Sequence, residues 1–290
     1  MSTATIAVLA LTSLVAATVN GALGYGYSAI SVPVALLVIA GRILNPALVI
    51  VEVGINAYSL WWNRAAAPRV IRRVIPLSLG LIPGVIVGAK LLDVVAPTDA
   101  KLIAFVALLP LILVQASGRR FQIRSERAAS VPLGAGVGLL YGLTTISGPP
   151  LALFWNNQGL AKEDFKVALA IVRTIESVCA LIAYAYLGVL SRESAGVLPW
   201  IIPGVAIGFP IGHALIKRIG VETFRRVCMS FDAYLVAFGL SRTLIDIGVM
   251  PGVAYQVLLA TAVIDTSLLW LFFRARPVHD TSPPPLEARA

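Results

Sequence analysis

A nine-residue stretch that occurs twice sets the plan of this chain. Residues 25–33 read YGYSAISVP and residues 141–149 read YGLTTISGP. At a constant offset of 116, Tyr25/Tyr141, Gly26/Gly142, Ile30/Ile146, Ser31/Ser147 and Pro33/Pro149 are identical, and Ser28/Thr144 keeps a hydroxyl. Each copy interrupts a long apolar run. Serine is a favoured N-cap, and proline is tolerated in a helix's first turn, where its missing N–H has no partner to lose. The spacing therefore predicts two helix breaks, each followed by a new helix start, at Ser31–Pro33 and at Ser147–Pro149. Non-helical backbone at membrane depth survives only where protein or a watery cavity covers it. The pair of breaks is thus the candidate binding site.

The apolar runs place that site in a bilayer. The chain of 290 residues is 58% hydrophobic and 13% charged, about half the charge of an ordinary soluble protein. Apolar spans are predicted at 46–62, 74–94, 100–116, 167–187, 197–216, 225–245 and 251–273, besides broken regions at 4–40 and 131–158. A continuous helix over 4–40 would be about 55 Å long, too long for a hydrocarbon core of about 30 Å. Each broken region is therefore expected to be a re-entrant hairpin of two short arms. Cys179 and Cys228 lie within apolar runs and read as small core residues.

Beyond the breaks, ALVIVEVGINA at 47–57 lines up with ALAIVRTIESV at 168–178, and Gly84-x-x-x-Gly88 with Gly208-x-x-x-Gly212. Those glycines read as close helix packing. The chain divides into a first half, 1–116, a basic cytoplasmic linker, 117–130, a second half, 131–245, an extra transmembrane helix, 246–273, and a disordered tail, 274–290. With two hairpins, seventeen of the 23 Lys and Arg fall on one side and five on the other, Arg173 lying within a span. If the second broken region crossed once, the split would be ten against twelve. The positive-inside rule favours the second hairpin, and the first is expected from the repeat. A hairpin plus three crossings is an odd unit, so the halves are expected to be inverted, an architecture of transporters. The net charge of +9 is then a matter of topology, and the expected partner is the lipid bilayer rather than nucleic acid.

Inverted hairpins would bring the two helix starts together. Helix N-termini carry free N–H groups and partial positive charge, and so suit a small anion. The two breaks supply Tyr25, Gly26, Ser28, Ser31 and Pro33, and Tyr141, Gly142, Thr144, Thr145, Ser147, Gly148 and Pro149. Ionisable residues inside spans are costly and face the interior. They are Glu52, Arg173, Glu176, Asp232 and Asp265. Arg173 is a candidate anion ligand. Glu52, Glu176 and Asp232 are candidates for coupling or for an ion pair, and Asp265, in the extra helix, is given no transport role.

The motifs, above all ISGPPLAL at 146–153 and GLAKEDFKVAL at 159–169, resemble the sulfite exporter TauE/SafE family over about 5–245. Where the family's first motif has consecutive glycines, this chain has Gly24-Tyr25-Gly26. The resemblance implies secondary transport of a small anion across the bacterial inner membrane. That anion would be sulfur-containing (sulfite, an organosulfonate or thiosulfate) or a small organic acid. Two other readings are weaker. An accessory membrane subunit would not need matched breaks in two halves. An intramembrane hydrolase built on Ser147 would have only His213 as a base. There is no HExxH zinc motif and no Walker A loop, so neither an enzyme nor a cofactor is expected.

Overall fold

The computed structural model describes residues 2–117, 125–158, 160, 162–215 and 221–274. It is all-helical, with eleven α-helices among the described residues. The first half holds α1 (Thr3–Leu23), α2 (Tyr27–Ala35), α3 (Gly41–Asn63), α4 (Ala67–Val94) and α5 (Pro97–Ser117). The second holds α6 (Glu126–Thr144), α7 (Gly148–Asn157), α8 (Lys162–Tyr186), α9 (Arg192–Leu215) and α10 (Val221–Asp246), followed by α11 (Pro251–Arg274). Each of the seven predicted spans is occupied by one long helix. Among the described residues, six stretches are long and apolar enough to cross a membrane, one of them, Gly41–Leu92, joining α3 and α4. The protein is a polytopic membrane protein. The linker residues Arg119, Arg120 and Arg124, residues 216–220 at the end of the predicted span 197–216 and just beyond it, and the tail from 275 lie outside the described residues.

Both broken regions do break, but their arms are unequal. Helix α1 has 21 residues, about 32 Å of helix, whereas α2 has nine. The first copy also restarts earlier than predicted. Helix α2 begins at Tyr27 with Gly26 as its N-cap, so Ser31 and Pro33 lie inside it and start nothing. The reason is backbone freedom. Gly24 and Gly26 both take left-handed φ values, +85° and +106°, which glycine reaches without a Cβ penalty. The chain therefore turns there, and α2 folds back so that the Tyr27 hydroxyl lies 3.0 Å from Ser13 Oγ of α1. The second copy starts as predicted, with Ser147 at the N-cap of α7 and proline in its first turn.

Glycine stripes hold the helices together. Gly80, Gly84 and Gly88 of α4 lie on the Val131, Ala135 and Leu139 carbonyls of α6, while Gly204, Gly208 and Gly212 of α9 lie on those of Ala10, Leu14 and Thr18 in α1. Both registers rise together, so α1 runs parallel to α9, and α4 to α6. In lipid, where apolar burial gives no drive to associate, such close backbone contact supplies the packing. A Cβ at Gly84 would overlap the Ala135 oxygen, whereas one at Gly136, on the same helix pair, meets nothing within 4 Å. Gly84→Ala is therefore expected to cost about 1–3 kcal/mol by overpacking. Gly136→Ala should be neutral or slightly stabilising, because alanine is the better helix former. Thermal unfolding in detergent checks both.

Candidate functional site

The two helix starts meet. A Cβ on Gly148, the first residue of α7, would stand 3.4 Å from Tyr25 and 3.5 Å from the Gly26 nitrogen. Tyr25 is buried in the first break and sets its ring edge-on against Phe165, centroids 6.4 Å apart. In the second break Thr145 takes a left-handed φ of 60°. Its hydroxyl donates to the Thr144 carbonyl at 2.6 Å, and the Ile146 N–H donates to Thr144 Oγ1 at 3.2 Å. These local bonds offset the strain that a non-glycine residue meets there.

Behind the breaks, α3 and α8 cross at Glu52 and Arg173. Arg173 is 2% exposed and Glu52 0%, and the guanidinium Nη2 donates to Glu52 Oε1 at 2.7 Å. Nη1 donates to Asn20 Oδ1 at 3.0 Å. Tyr141 donates to Glu52 Oε2 at 2.6 Å, and Ser28, in the first turn of α2, donates to Glu52 Oε1. In the second break Ser147 donates to Glu176 Oε2 at 2.6 Å and makes no capping bond to α7. Each helix start is thus already served by a carboxylate from the span that follows it, α2 by Glu52 and α7 by Glu176. Negative charge at a helix N-terminus is favourable.

The Asn20–Arg173 and Tyr141–Glu52 bonds follow a spacing of 121, not 116. At 121, Asn20 corresponds to Tyr141 and Glu52 to Arg173; Asn20 bonds Arg173 as Tyr141 bonds Glu52. The left-handed residues Gly24 and Thr145, and the N-caps Gly26 and Ser147, obey the same spacing. The identities at 116 are displaced from the geometry by five residues.

The candidate residues do not all converge. Ser28, Tyr141, Ser147, Arg173, Glu52 and Glu176 form the centre. Ser31 and Pro33 are buried within α2, Pro149 lies in the first turn of α7, and Gly142 packs on α4 and accepts from the Tyr184 hydroxyl at 2.6 Å. Asp232 is buried on α10, and its carboxylate joins none of the central bonds. Asp265 is also buried, on α11, accepting from Ser230 at 3.0 Å. Sequence reasoning missed Asn20, and Asn45 and Asn56, which brace the Leu143 and Arg173 carbonyls at 2.9 and 3.2 Å. Each is an amide inside an apolar helix, a signal readable beforehand.

A cleft of about 890 Å³ leads to the centre, from Asn20 past Gly54 and Phe209 to Trp62 and His213 at the ends of α3 and α9. A cavity of about 120 Å³, touching Arg42, Asn45 and Lys101, lies toward the other end of α3. His213 stacks edge-on to Trp62, centroids 5.9 Å apart, while the Ser147 hydroxyl is held by Glu176. Serine and histidine therefore do not form the pair that a hydrolase would need.

The description that matches this chain is "Sulfite exporter TauE/SafE", over residues 9–239. A curated protein of Cupriavidus necator, "Probable sulfite/organosulfonate exporter TauE", is 26% identical over 199 residues, covering 64% of this chain and 71% of that protein. No solved structure matches.

Proposed function

The chain belongs to the sulfite exporter TauE/SafE family, a family of exporters rather than enzymes, and from that premise we propose that it is a secondary transporter of a small sulfur-containing anion. Sulfite, an organosulfonate and thiosulfate are the candidates, with a small organic acid behind them, and the bacterial inner membrane is the setting. The observation that carries this reading is Arg173, a buried guanidinium beside two helix starts, bonded to the Asn20 amide that forms the floor of the cleft. A buried cation needs a counter-charge. Glu52 supplies it at rest, and an entering anion takes its place or shares it. Asn20, the hydroxyls of Ser28 and Tyr141, the N–H groups at the start of α2 and the Gly148 N–H, the one that α7 has ahead of Pro149 and Pro150, are within the same centre and complete an oxyanion's coordination.

The parallel pairs α1/α9 and α4/α6 support inverted halves. Tyr58 meets Phe209 and Trp62 meets His213, so α3 also runs parallel to α9, and the short turn from α3 to α4 reverses direction, so α1 and α6 run oppositely. The wide cleft at one end of α3 and the small cavity at the other suit alternating access with the basic side open.

Counterflow tests the reading. Proteoliposomes loaded with unlabelled anion are expected to take up radiolabelled sulfite, thiosulfate or methanesulfonate with saturation, and acetate more weakly. If no anion exchanges faster than in protein-free vesicles, the transporter reading fails.

A further inference from the structure

We infer that Glu176 is a proton-binding site and that the anion crosses together with a proton taken up there. The inference rests on the anion site proposed at Arg173. Glu176 is fully buried. Its Oε2 accepts from Ser147, and its Oε1 has no hydrogen-bond partner. The ionisable groups facing it are Arg173 and Cys179 on its own helix, Glu52 on α3 and Tyr141 on α6. Helix α4, which packs along α8, has no ionisable side chain between residues 74 and 89. Arg173 is the only cation in that set, and both of its terminal nitrogens are engaged, on Glu52 and Asn20.

Charge then fixes the consequence. Arg173 and Glu52 cancel, so an ionised Glu176 leaves one uncompensated negative charge in the centre. An anion arriving at Arg173 would make two. Buried like charges are relieved by protonation, and the carboxyl group then has a proton to place on its free side. Protonation also weakens the hold of Glu176 on the α7 start, through Ser147, and so frees positive potential for the anion. The residue at the corresponding position of the first half, 121 earlier, is Ile55. The frame therefore does not require an acid there. In chemical terms the proton adds to a carboxylate oxygen from the water on one side and leaves to the water on the other. No bond in the anion changes.

Methanesulfonate is the probe, because it stays anionic at every working pH and cannot itself carry the proton. Proteoliposomes containing a trapped pH dye are given an inward methanesulfonate gradient. The parent is expected to acidify the lumen by about one proton per anion, and its flux should respond little to a potassium–valinomycin potential. Glu176→Gln keeps the shape and the Ser147 bond. It should move methanesulfonate with no accompanying protons, and its flux should become potential-driven. Glu176→Asp should regain the proton. Stoichiometry, unlike rate, is not altered by partial misfolding. If Glu176→Gln still carries one proton per anion, or the parent carries none, the inference is overturned while anion transport stands. If the parent moves no methanesulfonate, sulfonate transport fails and this inference with it.

Discussion

Arg173→Gln is expected to abolish anion transport and to cost the folded protein about 3–5 kcal/mol, the range for removing one partner of a buried ion pair. The cost comes from Glu52, which would remain 0% exposed with Tyr141 and Ser28 as donors but no cation. Adding Glu52→Gln removes the orphaned charge, so the double variant should regain most of the thermal stability in detergent. It should not regain transport, because two neutral amides cannot replace a guanidinium as an anion ligand. Arg173→Gln with Glu176→Gln separates the alternatives further. Arg173 is bonded to Glu52, not to Glu176, so this pair should leave the protein destabilised. Full counterflow by the Arg173→Gln, Glu52→Gln variant would reduce Arg173 to scaffolding and remove the central support for the proposed site.

Arg173 also shows how far the sequence could be read. Its alignment with Glu52 was visible at a spacing of 121, because charged residues stand out in apolar spans. That these two residues touch was not visible, since contact depends on how α3 and α8 cross. The breaks were legible from glycine, serine and proline, yet their register was misread. Identity at 116 led to Ser31 as a helix start, whereas the backbone turns at Gly24 and Gly26. Conformational freedom, not sequence likeness, decided the point. The glycine stripes were legible as packing but not as partners, because nothing local says that α4 should lie on α6. The expectation of two short arms fails for another reason. Helix α1 runs along α9, where small residues allow close contact, until the left-handed Gly24 ends it. Asn20 lies outside both repeated motifs, and nothing in them points to it, though a buried amide in lipid needs a partner, and here its oxygen has the guanidinium.

Gly54→Phe is expected to leave the protein folded and to lower transport at least about tenfold, if the cleft is the route. Gly54 lies in α3 and lines the cleft. A Cβ there meets nothing within 4 Å, so the substitution adds volume to open space rather than to packed helix. Replacing glycine inside a helix also favours the helix, by roughly 0.5–1 kcal/mol for a good helix former. The melting temperature in detergent should therefore hold or rise, which separates this variant from a misfolded one. The loss arises because the ring would stand between the mouth, at Trp62 and His213, and the floor, at Asn20. Size should grade the effect. Gly54→Ala should pass all anions near the parent rate, Gly54→Leu should slow bulky sulfonates more than sulfite, and Gly54→Phe should stop both. Parent-rate counterflow by Gly54→Phe would mean that the cleft is a groove filled by lipid. The anion would then have to reach Arg173 from the smaller cavity, beside Asn45 at the opposite end of α3.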